Sequence, residues 1–301
     1  MTGAQKRNLK NDLWGWCFAA PLVVGLLVFT LYPLVMSLIY CFFDVDVISP
    51  MSNFGLHNFR EIFSGMYRED FFHSLKVTCV YTVISVPLGL VLGYCVALFL
   101  NVQQKASGAF RILFYLVALI PSVALGAVMR DMTNSQYGLF NVILHDRLGF
   151  PRIDFQSQEN LLKSYIWITT FGAGGGYIIW LAGLRGIDKT LYEAATLDGA
   201  GAFRSFFNIT LPMTTPYIFY NLVTGMIGAM QLFSEPYVLT GGTGGSGDAL
   251  RTLCMLIYDT AFPGHSLGAA SAMAWILCAI VGVLTLFTFK SNKWVQYADE
   301  M

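Results

Sequence analysis

Six long runs of apolar residues, each about the length needed to cross a lipid bilayer, constrain the fold of this chain most strongly. All 18 basic and 18 acidic residues lie outside these runs or at their edges. Only 12% of the chain is charged, against about 25% in a typical soluble domain. The sequence therefore predicts an all-α polytopic membrane protein, with six transmembrane helices in a single domain over residues 1–301. The predicted spans are roughly residues 13–43, 75–100, 112–129, 165–184, 212–234 and 267–289.

The basic residues predict which side of the membrane each loop faces. Ten of them fall in short segments that share a side with the N-terminus, and the other eight are spread over much longer loops. Lys and Arg concentrate in short cytoplasmic loops, so both termini and the loop 185–211 are predicted to be cytoplasmic. The net charge of zero gives no sign of nucleic-acid binding, and the four histidines and six cysteines have no metal-ligand spacing.

Polar residues in the loop 185–211 predict a short helix. Thr190 and Glu193 fit a capping box, which places the start of the helix near Leu191. Gly199 is predicted to end it, and Pro212 suits the first turn of the helix that follows. In one interpretation Glu193 is only a cap in a connector; in the other the helix is a docking element, and both roles can coexist.

The same loop carries a longer pattern, which reads Glu193-Ala194-Ala195-Thr196-Leu197-Asp198-Gly199 and, nine residues later, Ile209-Thr210-Leu211-Pro212. It resembles the EAA signature of bacterial ABC importer permeases, and every fixed position is present. In that family the loop forms the coupling helix through which a separate ATPase subunit drives the membrane helices. The resemblance implies that the residues coupled to an ATPase are Glu193, Ala194, Ala195, Asp198, Gly199, Ile209, Leu211 and Pro212.

Three further stretches resemble the maltose-type branch of these permeases, which imports oligosaccharides and polyols. They are Gly55-Leu56-x-Asn58-Phe59, Arg111-x-Leu113-Phe114 and Tyr237-Val238-Leu239-Thr240-Gly241-Gly242. Thr243 departs from the family pattern, which often has glycine there. The short segment after the sixth span resembles the first permease of a heterodimeric pair.

The resemblance implies the type I ABC importer permease fold in a bacterial cytoplasmic (inner) membrane. It also implies a complex with a second permease, two ATP-binding subunits and a solute-binding protein. The chain contains no Walker A motif, so we expect it not to be an enzyme and to bind no cofactor, with ATP and Mg²⁺ used by the partner ATPase. The predicted function is uptake of an oligosaccharide by alternating access. An acidic saccharide is one option, because Arg130, Lys163 and Arg251 lie near the outer ends of the spans.

Small residues in the fourth and fifth spans have two interpretations. Residues 172–176 include four glycines, and Gly225, Gly228, Ala229 and Leu232 share one helix face. Such residues permit close helix packing, but they also leave room for a translocation cavity. The resemblance favours the cavity, because the family holds its substrate from these two spans. The candidate substrate-pathway residues are Phe171, Gly172, Gly175, Gly228, Gln231, Leu232 and Glu235.

Three other functions stay open at this stage. A permease for amino acids, peptides or inorganic ions shares the EAA loop and is distinguished by the outer-loop and last-helix patterns. An ion-coupled secondary transporter is disfavoured, because such proteins usually keep charged residues at membrane depth and the six runs hold none there. A structural membrane protein without a substrate would require the EAA pattern to be coincidental.

Overall fold

A computed structural model of the protein describes residues 3–46, 51–101, 119–172 and 177–296, together with residues 108, 110, 112 and 116. Within these residues the chain is mostly helical, and the β-type pairing consists of two isolated antiparallel bridges. The predicted all-α class is confirmed. The principal helices are α1 (Gly3–Leu26), α2 (Tyr32–Tyr40), α3 (His57–Ser64), α4 (Arg68–Asn101), α5 (Ser122–Met132), α6 (Leu161–Gly172), α7 (Tyr177–Gly186), α8 (Lys189–Leu197), α9 (Thr215–Met230), α10 (Ser234–Leu239), α11 (Leu253–Ala261) and α12 (Leu267–Lys290).

Shorter helical turns connect these elements. The π-helical turn Leu27–Leu31 joins α1 to α2, so the first predicted span is helical throughout its central part. The remaining short elements are Leu139–Asn141, Val142–Arg147, Ala202–Ser205, Phe206–Thr210, Leu211–Met213, Ser246–Asp248 and Asn292–Trp294.

Three helical stretches in the described part of the chain are long and apolar enough to cross a membrane: Gly15–Tyr40, Arg68–Asn101 and Leu267–Trp294. They coincide with the first, second and sixth predicted spans. The fourth predicted span corresponds to α6 and α7, and residues 173–176 between them lie outside the described residues, as do several residues of the third. The count of six spans therefore stays a prediction for the shorter helices.

The fifth predicted span, residues 212–234, is interrupted twice in the structure. At its start, Thr214 separates the turn Leu211–Met213 from α9. At its end, α9 stops at Met230 and α10 begins only at Ser234. Pro236 has no N–H to donate to the carbonyl of Leu232, four residues earlier, which disfavours a continuous helix. The Thr252 hydroxyl donates to that carbonyl instead, at 2.8 Å, as expected where a helix breaks in an apolar region.

Contacts divide the chain into two compact units. The first comprises Met1–Arg68 and Ile257–Ile276, and the second comprises Glu69–Leu256 and Leu277–Met301. In the first unit the buried Asn58 amide donates to the carbonyls of Cys41 and Phe43, at 3.0 and 2.9 Å, which ties α3 to the end of α2. The single domain predicted over residues 1–301 stays a prediction.

The second unit contains two buried apolar clusters that position the candidate site. One is built from α4, α5, α6 and the chain around α10: Tyr81, Met129, Leu161, Tyr165, Ile166, Leu239 and Leu250. The other, here called the loop-side cluster, joins α4 to α7 through Tyr94, Ala97, Trp180 and Leu184. Phe206 and Leu211, from the loop after α8, pack against this second cluster.

Candidate coupling loop and cavity

Helix α8 begins earlier than the sequence pattern predicts. Its N-cap is Asp188, whose carboxylate accepts a hydrogen bond from the Thr190 N–H at 2.9 Å. The predicted capping box between Thr190 and Glu193 is therefore wrong. An ionised aspartate is a strong N-cap, because it accepts from a free N–H and also interacts favourably with the positive end of the helix dipole.

Helix α8 ends just before Gly199, as the sequence predicts. The N–H of Gly199 donates to the carbonyl of Thr196 at 3.1 Å, and the N–H of Ala200 donates to the carbonyl of Ala195 at 2.8 Å. This pair of bonds is a Schellman motif, which requires the left-handed backbone that Gly199 adopts, with φ of +73°. A side chain at position 199 would strain the turn even though open space surrounds it.

Exposed apolar side chains mark the surface of this loop. Leu197 is 89% exposed and Phe203 is 79% exposed, and the side chains of Leu191 and Phe207 are also exposed to solvent. Glu193, Ala194 and Asp198 are exposed as well, whereas Ala195 is half-buried. A charged and apolar surface that protrudes on a short helix is typical of a protein interaction site. We call this surface, formed by α8 and residues 203–207, the docking face.

The base of the loop is fixed to the membrane helices. The hydroxyls of Tyr192 and Thr210 are 2.8 Å apart, which links α8 to the returning chain. Leu211 and Phe206 then pack on the loop-side cluster, and the hydroxyls of Tyr94 and Thr214 are 2.9 Å apart. The other residues at the predicted re-entry, Ile209 and Pro212, are half-buried, with Pro212 in the first turn of its helix as predicted.

A cavity of about 320 Å³ lies within the second unit, between α4, α6, α7 and α9. Aromatic and neutral polar side chains line it together with a series of glycines, and no Asp, Glu, Lys, Arg or His of the described chain belongs to its lining. The lining residues that matter most here are Tyr81, Ser85, Gly89, Gly93, Thr169, Thr170, Trp180, Asn221, Gly225, Gly228, Ala229 and Leu232.

The structure gathers only some of the predicted substrate-pathway residues at this cavity. Gly228 and Leu232 line it, together with Gly225 and Ala229 from the same predicted helix face. A Cβ atom at Gly228 would meet nothing within 4 Å, so this glycine borders open space rather than a tight helix contact.

The other candidates lie elsewhere. Phe171 is 63% exposed and stacks on Trp167 with ring centroids 5.1 Å apart, and it is not part of the cavity lining. Gly172 ends α6, and Gly175 lies outside the described residues. Gln231 is exposed just past α9, and Glu235 is half-buried in the first turn of α10.

Comparison with known proteins identifies the type of protein to which this arrangement belongs. The sequence profile of the binding-protein-dependent transport system inner membrane component family matches residues 63–296, which include α8, the docking face and the cavity. The chain belongs to this family. It is therefore the membrane-embedded component of a transport system that works with a binding protein.

Individual relatives of this inner membrane component cover nearly the whole chain. The probable ABC transporter permease protein YesP of Bacillus subtilis is 37% identical over 97% of this chain and 94% of its own. The trehalose/maltose transport system permease protein MalF of Thermococcus litoralis is 31% identical, covering 96% of each chain. A chain in the crystal structure of a bacterial alginate ABC transporter, in complex with alginate pentasaccharide-bound periplasmic protein, superposes with a TM-score of 0.82. That chain is 21% identical, and 95% of this chain and 96% of that chain are covered.

Sequence reasoning missed several lining residues of this permease. Tyr81, Trp180 and Asn221 come from three different apolar runs, and nothing local shows that they converge. The signal that could have found them was their polarity, because hydroxyl, indole and amide groups in a membrane span must find partners. Asn221 donates to the Tyr217 carbonyl at 2.8 Å, and its amide retains further hydrogen-bonding capacity.

We expect Asp188→Ala to fray the first turn of α8, and Asp188→Asn to preserve it. Hydrogen bonds from the Thr190 N–H and hydroxyl lower the pKa of the Asp188 carboxyl below its ordinary value of 3.8. The ionised Asp188 carboxylate therefore stabilises α8 fully above its ordinary pKa of 3.8, and this stabilisation is lost only as the pH falls through the lowered pKa. The strength of the cap is thus constant from pH 5 to 8. Hydrogen exchange of residues 190–194 in the purified importer should quicken about five-fold in the alanine variant. Equal rates in both variants would show that Asp188 does not hold the cap.

Proposed function

We propose that this chain is one permease subunit of an ABC importer for a carbohydrate. The observation that carries the proposal is the cavity, which combines aromatic surfaces with neutral hydrogen-bonding groups and contains no fixed charge among the described residues. Sugars are recognised by this combination, since their C–H faces stack on aromatic rings and their hydroxyls need hydrogen-bond partners. The named relative that carries trehalose or maltose supports the same class of substrate.

The contacts around the docking face supply a route from an ATPase to the cavity. Tyr192 connects α8 to Thr210 through their hydroxyls, and the next residue, Leu211, packs on the loop-side cluster. A displacement of α8 would therefore move that cluster. Trp180 belongs both to that cluster and to the cavity lining, where Gly93 approaches its indole nitrogen closely enough that a Cβ would lie 3.3 Å away. Movement of α8 is therefore expected to shift α4 against α7 and to change access to the cavity, which is alternating access.

The three basic residues on which the acidic-saccharide hypothesis rests do not line the cavity. The Arg251 guanidinium lies 3.7 Å from the Asp70 carboxylate and 3.4 Å from that of Asp248, so acids of this chain already surround it. Lys163 and Arg130 line other depressions. We propose that this chain recognises sugar hydroxyls, and that any selectivity for charge comes from other subunits.

The proposed assembly contains a second permease, two ATP-binding subunits that use ATP and Mg²⁺, and a solute-binding protein. The docking face fits the ATP-binding subunit, because it is exposed and partly apolar in a loop between membrane spans. This assignment places both termini and α8 on the cytoplasmic side of the bacterial inner membrane. The individual residues that we propose to couple this loop to the ATP-binding subunit are Glu193, Ala194, Ala195, Asp198, Gly199, Ile209, Leu211 and Pro212.

Asn221→Leu is expected to lower saccharide uptake about ten-fold, because the change removes one hydrogen-bonding group from the cavity lining. The assay measures uptake and stimulated ATP hydrolysis by the reconstituted importer with its binding protein, using neutral oligosaccharides, acidic oligosaccharides and amino acids. Thr224→Val serves as the control, since Thr224 lies on the same helix but outside the cavity lining. Stimulation by amino acids alone would contradict the carbohydrate assignment, and an undiminished uptake by Asn221→Leu would exclude this side chain as a contact.

A further inference from the structure

A groove of about 430 Å³ runs between α4 and α6, on a face of α4 different from the one at the sugar cavity and nearer the start of α6. One end of the groove is lined by His73, Lys76 and Lys163. The other end is lined by Val80, Ile84 and Ile166. We call it the α4–α6 groove, and its polar end and apolar end are clearly separated along α4.

The length of the groove matches one leaflet of a bilayer. Eleven residues separate His73 from Ile84, and at 1.5 Å per residue they span roughly 16 Å of helix. The hydrocarbon core of a membrane is about 30 Å thick, so one leaflet accounts for about 15 Å. The polar end lies near the start of α4, at the opposite end of this predicted span from the docking face. On the proposed topology the groove therefore traverses the outer leaflet from the headgroups to the middle of the bilayer.

The polar end carries two lysines, which form no ion pair within the described part of the chain. Among the eight lysines of the chain, Lys76 and Lys163 alone fall on this side of the proposed topology, and both line the groove. Neither has a carboxylate within 4.0 Å in the described part of the chain, and Glu159 is the one acid in the lining. The nearby acids Asp70 and Asp248 already face Arg251.

Trp167 supports a position of this surface near the lipid headgroups, and His73 is fixed at its polar end. Trp167 lies one turn beyond Lys163 on α6 and is 60% exposed, and tryptophan and lysine are the residues that anchor helices at the membrane interface. The His73 Nε2 lies 3.0 Å from the Asp248 carbonyl. Because a carbonyl can only accept, Nε2 carries the hydrogen, and this bond holds the ring at the polar end of the groove.

From this arrangement we propose that the α4–α6 groove binds one anionic phospholipid of the outer leaflet. The phosphate lies between Lys76 and Lys163, where the two ammonium groups attract it, and an acyl chain lies along Val80, Ile84 and Ile166. The bound lipid bridges α4 and α6, which also form two walls of the sugar cavity. The proposal uses the proposed topology but is independent of the substrate that the cavity takes.

Native mass spectrometry of the complete importer, transferred into nanodiscs of phosphatidylglycerol or phosphatidylcholine, tests this site. Lys76→Gln combined with Lys163→Gln should reduce the preference for phosphatidylglycerol on the order of 30-fold, since each basic residue near a membrane surface contributes about a factor of five. Arg147→Gln combined with Arg152→Gln is the matched control, because it removes two charges from the same side outside the groove. The control should retain the preference of the unmodified protein.

A photo-reactive amino acid at position 80 identifies the occupant directly. Crosslinking to phosphatidylglycerol supports the proposal, whereas crosslinking to the second permease would show that a protein interface fills the groove and would overturn it. An unchanged lipid preference in the double lysine variant would also overturn it. Uptake assays on the same variants in proteoliposomes keep the two proposals apart, since loss of lipid binding with sugar transport retained affects only the lipid site.

Discussion

Leu197→Asp is expected to uncouple ATP hydrolysis from uptake and to reduce transport at least ten-fold. Leu197 is 89% exposed on α8, yet it is large and apolar and lies in the loop that we propose to dock on the ATPase. Burial of a leucine side chain in a partner is worth about 2 kcal/mol, which corresponds to roughly 30-fold in affinity. An aspartate loses this favourable free energy of apolar burial and adds the cost of burying a charge. The measurement compares sugar uptake with ATP hydrolysis in proteoliposomes.

Ala202→Asp is the matched control for this change. It adds the same charge to an exposed position of the same loop, but outside the docking face, in the first turn of the short helix Ala202–Ser205. Gly199→Val provides a second test, because it strains the Schellman turn without altering the docking face itself. If Leu197→Asp and Gly199→Val both supported full uptake in an intact assembly, α8 would not be the coupling element.

The sequence predicted the features of this loop that depend on a single residue. Gly199 ends α8 because the turn requires a positive φ, and that requirement can be read from a glycine in a polar segment. The start of α8 was predicted less well. Asp188 and Thr190 are both acceptable caps, and local pattern alone does not rank an ionised aspartate against a threonine with a partner glutamate.

Features that depend on distant residues could not be predicted in the same way. The break after α9 needs Pro236 to free the Leu232 carbonyl and Thr252 to satisfy it, and those residues are far apart in sequence. The cavity draws on α4, α6, α7 and α9, so periodicity identified the face of α9 without showing what it faces. Phe171 illustrates the difference, since it lies in the predicted span but stacks on Trp167 away from the cavity lining.

Gly228→Trp is expected to block transport while leaving the assembly intact. Gly228 borders a cavity of about 320 Å³, and a Cβ atom added to it would have no neighbour within 4 Å, so we expect a larger side chain there to extend into the cavity. Uptake should fall by roughly 100-fold or more, because the site cannot hold an indole ring and a substrate together. Basal ATP hydrolysis should persist, since the docking face and the loop-side cluster are unchanged.

Gly282→Trp separates blockage from a general effect of adding tryptophan to a membrane helix. Gly282 also lies on a helix with open space at its Cβ, but on α12 and outside the cavity lining. Its variant should transport at the rate of the unmodified protein. If Gly228→Trp transported equally well, the cavity would not be on the substrate pathway. If both variants failed, the loss would be a general effect of tryptophan in a membrane helix, and blockage of the cavity would not explain it.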